Sequence, residues 1–213
     1  MGTIKQGILG QFSGKVGTVI GSSWKGQGVM RGIAPHVSDA KTDGQLAVRQ
    51  KFTVVMNFIH SMIQFLRIGF KNYAVNMTEF NAAFSYNRLN AIQGTYPNFT
   101  IDYPNALVSR GNLSPALNQT AASTVAGTIL FTWADNSDEL NASPTDPNLL
   151  LIYNPEKNQA VYFRDLGERA DLTQSVTVPH SFSGDLVHCY IAFETADGFE
   201  QSNSKYAGAI TVA

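Results

Sequence analysis

Gly10, Gly14 and Lys15 have the outline of a phosphate-binding loop. That loop needs Gly, four residues, then Gly-Lys-Ser/Thr, so that backbone amides cradle phosphate and a hydroxyl reaches magnesium. Here three residues separate the glycines and Val16 follows the lysine, so the hydroxyl is missing. Gly14-Lys15-Val16-Gly17 also departs from the dinucleotide pattern Gly-x-Gly-x-x-Gly. The four histidines, His36, His60, His180 and His188, never fall within five residues of one another, which leaves no local zinc spacing. His60 is expected at a core edge or interface, and His188 facing solvent. Asp135, Asp138 and Glu139 crowd one turn. Paired carboxylates can do acid/base work on glycans, but a solvated loop explains these more simply. There is no Gly-x-Ser-x-Gly elbow. The single cysteine, Cys189, forms no intramolecular disulfide. Its place in the strand-like run Leu186–Phe193 predicts a buried, inert thiol. The reading is of a non-enzymatic protein with no catalytic, cofactor-binding or metal-ligating residues.

A contact surface is the alternative to a reaction centre, and composition points to one. Hydrophobic residues make up 44% of the 213, enough for a real core. Charged residues are only 15%, against roughly 25% in an average soluble domain. Such a surface suits coverage by neighbours. The net charge of −1 hides an asymmetry. Residues 1–90 hold ten Lys/Arg and three Asp/Glu, a balance of +7, while residues 91–213 hold five and thirteen, a balance of −8. Opposite charges on two halves favour head-to-tail contacts between copies. The expected surface is Trp24-Lys25-Gly26 with Lys15 and Arg31, because Trp and Arg dominate interface energetics. Its acidic counterparts on another copy would be Asp135, Asp138 and Glu139.

The leading functional reading is therefore a structural or assembly protein, forming homo-oligomeric or particle contacts as a phage virion component or a bacterial surface or fibre subunit. A second is a carbohydrate- or peptide-binding module using sandwich loops, with Tyr153, Tyr162, Phe163 and Phe199 as stacking aromatics. A third is single-stranded nucleic-acid binding by Lys5, Lys15, Lys25, Arg31, Lys41, Arg49 and Lys51, with Phe12 and Trp24 among them. These cations are dispersed and the acidic half would repel phosphates, so nucleic acid is not favoured.

The elements that must position these residues change character along the chain. Gly7, Gly10, Gly14, Gly17, Gly21, Gly26, Gly28 and Gly32 punctuate short β-type runs, a density that marks tight turns or close backbone approach. Two or three strands are predicted there, with a turn around Trp24–Gly28. Apolar spacing predicts one helix over 44–71, packing Phe52, Val55, Ile59 and Met62 against Phe84 of a second helix over 78–92. Asn76 with Glu79 gives the second helix a capping-box pattern, and Gly94 a stop. From Asn98 the period falls to two. Strands are predicted at 99–103, 106–109, 128–133, 149–153, 160–163, 175–178, 186–193 and 207–212, separated by turn chemistry. The fold class is α+β: a Gly-rich β-hairpin region and two helices, then an antiparallel Ig/fibronectin-III-like β-sandwich. The expected domains are 1–97, basic, and 98–213, acidic. Met1–Phe12 lacks the apolar run of a secretory signal. The most apolar stretch, Phe52–Phe70, contains Asn57, His60, Gln64 and Arg67, so no membrane span is expected. Synthesis is expected in the cytoplasm without a signal peptide, with a virion or the cell surface as a destination.

Several segments together carry a family likeness. They are Gly7-Ile8-Leu9-Gly10, the run Phe12-Ser13-Gly14-Lys15-Val16-Gly17 to Gly21-Ser22-Ser23-Trp24-Lys25-Gly26, then Met30-Arg31, Gln45, Arg49 and Phe52. Asn98-Phe99-Thr100-Ile101-Asp102-Tyr103, Ile152-Tyr153-Asn154-Pro155, Phe182-Ser183-Gly184-Asp185 and Tyr206-Ala207-Gly208 complete it. The chain resembles an uncharacterised domain family found widely in Bacteroidota genomes. The resemblance spans nearly the whole chain and implies a bacterial or phage origin. It implies no activity.

Overall fold

The computed structural model describes residues 2–4, 10–36, 39–139 and 141–213. The chain divides into two compact units, Met1–Thr42 and Asp43–Ala213.

The first unit is an antiparallel meander of β1 (Thr3–Ile4), β2 (Phe12–Val16), β3 (Val19–Trp24) and β4 (Gln27–Gly32), in that spatial order. Lys5 and Gly7 lie outside the described residues. The β3–β4 hairpin closes on Lys25-Gly26, with φ of 48° and 82°. Two positive φ values in a two-residue loop match the right-handed twist of the strands, which is why glycine follows the lysine here. Gly21 has a second reason: a Cβ there would lie 2.3 Å from the Phe12 carbonyl oxygen.

The second unit begins with helices α1 (Asp43–His60), α2 (Ile63–Gly69) and α3 (Glu79–Asn90). The single helix expected over 44–71 is broken. Ser61 Oγ donates to the Phe58 carbonyl (2.8 Å) and the Met62 N–H turns back three residues to Ile59, so the ladder tightens and restarts. The cap of α3 is Thr78, whose hydroxyl accepts from the Asn81 N–H (3.2 Å). Asn76, expected in that role, stands outside the helix at φ 58°. Gly94 is not the helix stop. It lies at φ 91° in the hairpin of β5 (Ile92–Thr95) and β6 (Asn98–Ile101).

Seven strands follow: β7 (Leu117–Val125), β8 (Thr128–Ala134), β9 (Pro147–Asn154), β10 (Gln159–Glu168), β11 (Thr173–Thr177), β12 (Leu186–Phe193) and β13 (Lys205–Thr211). They form two antiparallel sheets, β10-β9-β12-β13 and β11-β8-β7. This is the expected α+β fold with an antiparallel sandwich. Strand β7 was missed because its inward positions hold small or polar residues. The strand expected at 106–109 is instead a connecting segment. Its Val108 N–H donates to Ser204 Oγ (2.9 Å) and its Ser109 Oγ donates to the Ser202 carbonyl (2.8 Å).

Two cores share the larger sheet. Ile129, Phe131 and Trp133 of β8 meet Leu150 and Ile152 of β9 and Val187, Cys189, Ile191 and Phe193 of β12 between the sheets. The intervening residues, Leu149, Leu151 and Tyr153 of β9 with Tyr190 and Ala192 of β12, pack on Val55, Phe58, Ile59, Met62, Phe65 and Leu66 of the helical region. The expected boundary at 97/98 is thus corrected: the helices share a core with the sandwich, and the units part at Thr42/Asp43. Phe52 is peripheral to that core, 48% exposed, its ring 4.7 Å from that of Phe84.

The largest charged side chain of the core is an arginine. Arg169 is 0% exposed. It donates through Nε to Asp146 Oδ2 (3.1 Å), through Nη1 to Asn136 Oδ1 (2.7 Å) and through Nη2 to the Ser114 carbonyl (2.9 Å). Its guanidinium stacks 4.0 Å from the Phe193 ring centroid. Burial pulls its pKa down, and Asp146 opposes that shift.

Two outcomes follow from this packing. A fragment of residues 43–213 is expected to melt within a few degrees of the full chain. A fragment of 99–213 is expected to bind a hydrophobic dye and melt far lower, because Tyr153, Tyr190 and Leu151 lose their cover; equal melting of the two fragments would refute the shared core. Asp146→Ala is expected to cost about 3–5 kcal/mol in chemical denaturation, since it strands a buried cation.

Candidate interaction surfaces

The register of the first unit decides which side chains share a face. Residues directly opposite in an antiparallel pair point to the same side. Lys15 pairs with Ile20, and Ile20 with Arg31, so these three make one row across the sheet. Two and four residues along β3, Ser22 sits opposite Val29 and Trp24 opposite Gln27 on that same face. Lys25 caps the hairpin with its Nζ 4.8 Å from the Trp24 ring centroid. Lys15, Trp24, Lys25 and Arg31 therefore gather on one face and its turn, although they are scattered in sequence. Trp24 is 64% exposed. On the opposite face Val16, Val19 and Gly32 form one row, and Gly21 and Met30 another. Within this unit Gly21 is the one buried residue among those described.

The acidic residues lie in the other unit, in the turn after β8. Asp135 Oδ1 accepts from the Ser137 N–H (3.0 Å) and hydroxyl (2.7 Å), which hold its carboxyl below the usual range. Asp135, Asp138 and Glu139 are all exposed. The carboxylate of Asp135 thus serves its own turn, as short acidic side chains often do.

The aromatics expected at the sandwich surface divide. Tyr153 is buried, with its ring 5.0 Å from Phe58, and Phe163 is half-buried against the inter-sheet core. Tyr162 and Phe199 remain exposed. His188 corrects the sequence reading outright. Alternation along β12 turns it away from the inter-sheet core, but the helix-side face is covered too. Its ring stacks on Tyr103 at 3.5 Å and its Nδ1 hydrogen-bonds the Tyr206 hydroxyl (2.8 Å). Burial pulls its pKa down to about 4. The adjacent Cys189 is buried as expected, its thiol pushed up to about 12.

A cleft of about 380 Å³ opens between the segment after α2, helix α3 and Arg110. The Arg110 guanidinium lies 4.4 Å from the Tyr73 ring centroid and 5.3 Å from that of Tyr86. Met77 and Leu89, 50% and 79% exposed, form its apolar wall. Sequence reasoning missed this site. Its one signal was that Arg110 is the sole charge between Asp102 and Asp135.

These features define an α+β protein, a seven-stranded sandwich with a helical layer on its larger sheet and a separate small sheet rich in glycine. The chain belongs to the DUF6266 family, a family of unknown function, whose profile matches residues 11–208. Comparison with curated proteins finds no match. Among solved structures it is similar to the fn3 domain of human collagen alpha-1(XX) chain, at 12% identity and a TM-score of 0.37, over 48% of this chain and 87% of that one. It is similar to the FN5 domain of Drosophila Lar at 14% identity and a TM-score of 0.32, over 46% and 92%. A computationally redesigned β-sandwich protein matches at 12% identity and a TM-score of 0.34, over 48% and 92%. Among the described residues no helix is long and apolar enough to cross a membrane.

His188 gives the second unit a pH dependence of known sign. Its folded pKa lies below the ordinary value of 6.5, so the unfolded chain takes up a proton first as pH falls. Stability is then full above about pH 6.5 and declines toward pH 4, by at most about 1.4 kcal/mol per unit. Denaturation series at several pH values should show this slope in the native chain and a flatter one in His188→Gln.

Proposed function

We propose that this chain is a non-enzymatic assembly protein whose first unit is completed by another copy. One observation carries the reading: four hydrogen-bonded strands with only Gly21 buried among their described residues, and with Ile4, Val16, Trp24, Val29 and Met30 each more than 40% exposed. A small sheet needs a hydrophobic face packed against something to be stable in water, and exposed apolar patches of this kind mark interaction sites. Strand β4 is exposed throughout and, among the described residues, pairs on one side only, which leaves a template for strand addition. The basic row of Lys15 and Arg31 complements the acidic turn of Asp135, Asp138 and Glu139 on a neighbour. On this reading the chain is a particle or surface subunit, of a phage virion or a bacterial fibre, and its family likeness points to Bacteroidota or their phages.

The row of Lys15 and Arg31 with Trp24 on one open sheet face also favours a second reading, single-stranded nucleic acid, since stacking aromatics among cations are how such strands are held.

Light scattering coupled to gel filtration separates the two. The native chain is expected to self-associate. Lys15→Glu with Lys25→Glu should weaken association roughly tenfold, as loss of two exposed pairs worth up to about 1 kcal/mol each implies, without moving the melting of the second unit. High salt should act in the same direction. A monomer at every concentration overturns assembly; salt-dependent binding of an oligothymidylate by that monomer, lost in the double variant, would establish the second reading.

A further inference from the structure

The cleft in the second unit shares no residue with the first-unit surface. We propose that it binds a carboxylate carried next to an apolar group, with Arg110 as the anion-binding residue.

Arg110 is held firmly at its backbone and left open at its head. Its N–H donates to the Gly69 carbonyl at the end of α2 (2.8 Å). Gly69 permits that approach, since a Cβ there would lie 2.6 Å from the Val108 carbonyl oxygen. The half-buried guanidinium is then flanked by the two tyrosine faces, and the Tyr73 hydroxyl is pinned by donation to Asn112 Oδ1 (3.1 Å). Among the described residues its N–H groups meet no acceptor and no carboxylate pairs with it, whereas Arg164 and Arg169 each hold an acid. A stacked guanidinium keeps its N–H edge free in the plane of the fork, the geometry that grips a carboxylate with two parallel bonds.

The lining sets the rest of the ligand. Among the described residues no acid lines the cleft, so an anion meets no carboxylate in its wall. One arginine is the single cation in the wall, which suits a monoanion better than a phosphate dianion. Met77 and Leu89 provide an apolar shelf beside it, and Ser85 supplies a hydroxyl. The volume of about 380 Å³ falls within the roughly 300–1,000 Å³ usual for ligand sites. A short aliphatic carboxylate meets all of these terms. The same chemistry is available from an acidic side chain beside an apolar one on a second copy.

The test uses the full chain and hexanoate, with hexanol and inorganic phosphate as controls, read by amide shifts in a heteronuclear NMR titration. Hexanoate is expected to give saturable shifts centred on Tyr73, Tyr86, Leu89 and Arg110, with both controls at least tenfold weaker. Arg110→Gln should lower the affinity at least tenfold. Leu89→Glu should do the same by placing a like charge at an exposed position, and it covers the case in which Arg110→Gln perturbs the fold. Scattering in the presence of hexanoate then identifies the source. Dissociation of the assembly by hexanoate, reproduced by Arg110→Gln, assigns the carboxylate to a second copy. An unchanged assembly assigns it to a free ligand. Absence of saturable hexanoate shifts, or binding that survives both substitutions, overturns the proposal.

Discussion

Leu149, Leu151 and Tyr153 face the helices, while Leu150 and Ile152, each one residue away, face the opposite sheet. The same alternation runs through β12. These two central strands have water on neither side, and the arrangement of the second unit follows from that. Each fully buried large side chain contributes about 1.5–3 kcal/mol, so the two strands hold a large share of the driving force. Their backbone groups can be satisfied only by ladders, which is why β9 and β12 pair with each other and are flanked by β10 and β13. The helical layer is then required as cover for Tyr153 and Tyr190. Buried Asn87 in this layer is tied to backbone: it donates to the Ala83 and Leu107 carbonyls and accepts from the Leu107 N–H.

The first unit is built on the opposite principle. Its strands alternate and its β3–β4 turn has the expected geometry, but among its described residues no second layer covers the sheet. Glycines at 14, 21, 28 and 32 strip side chains from the sheet, and at Gly21 the room is taken by the Phe12 ring, whose Cδ2 lies 2.5 Å from where a Cβ would stand. A sheet thinned in this way can approach another surface closely at its backbone. Local geometry is specified by the chain, and the energy that would make it cohere is left to a partner on the reading proposed above.

How much of this the sequence discloses depends on whether a signal is local. The period-two strands β8 and β12, the Lys25-Gly26 turn and the helical face of Val55, Ile59 and Met62 are local patterns, and they were readable. His188 was not, because alternation reports only that it lies opposite Val187 and Cys189, and its cover comes from elsewhere in the chain: Tyr103, well before it, and Tyr206 on the neighbouring strand. The 97/98 boundary failed for the same reason. The change from helical to strand period marks where secondary structure switches, whereas a domain ends where burial ends. The apolar run Leu149–Tyr153 held the missing clue, since a strand buried on one face alone alternates with polar residues and this one does not. For the contact surface, Lys15, Trp24, Lys25 and Arg31 could be grouped by residue type, but only strand register places them on a common face. The Arg110 cleft joins a helix to a residue some twenty positions beyond it across a hairpin, and the isolated charge of Arg110 does not announce where its side chain lands.

The cations of the acidic half divide between pairing inside the second unit and exposure at its surface. The acidic half has five cations. Arg169 is spent on Asp146, Arg164 on Glu194 and Lys157 on Asp185. Lys205 stands exposed on β13, an edge strand, where lysine discourages unwanted pairing. Most of these cations therefore do internal or protective work, and the surplus of carboxylates is left at the surface. The fifth, Arg110, is neither neutralised nor on an edge. It has been given two aromatic walls and an apolar shelf instead of a carboxylate. A cation can be stabilised by ring faces without losing its in-plane donors, so this arrangement lowers the cost of holding Arg110 in place while keeping its hydrogen-bonding edge unused. That combination is what distinguishes a cation held ready for a ligand from one that merely balances the charge of its own fold.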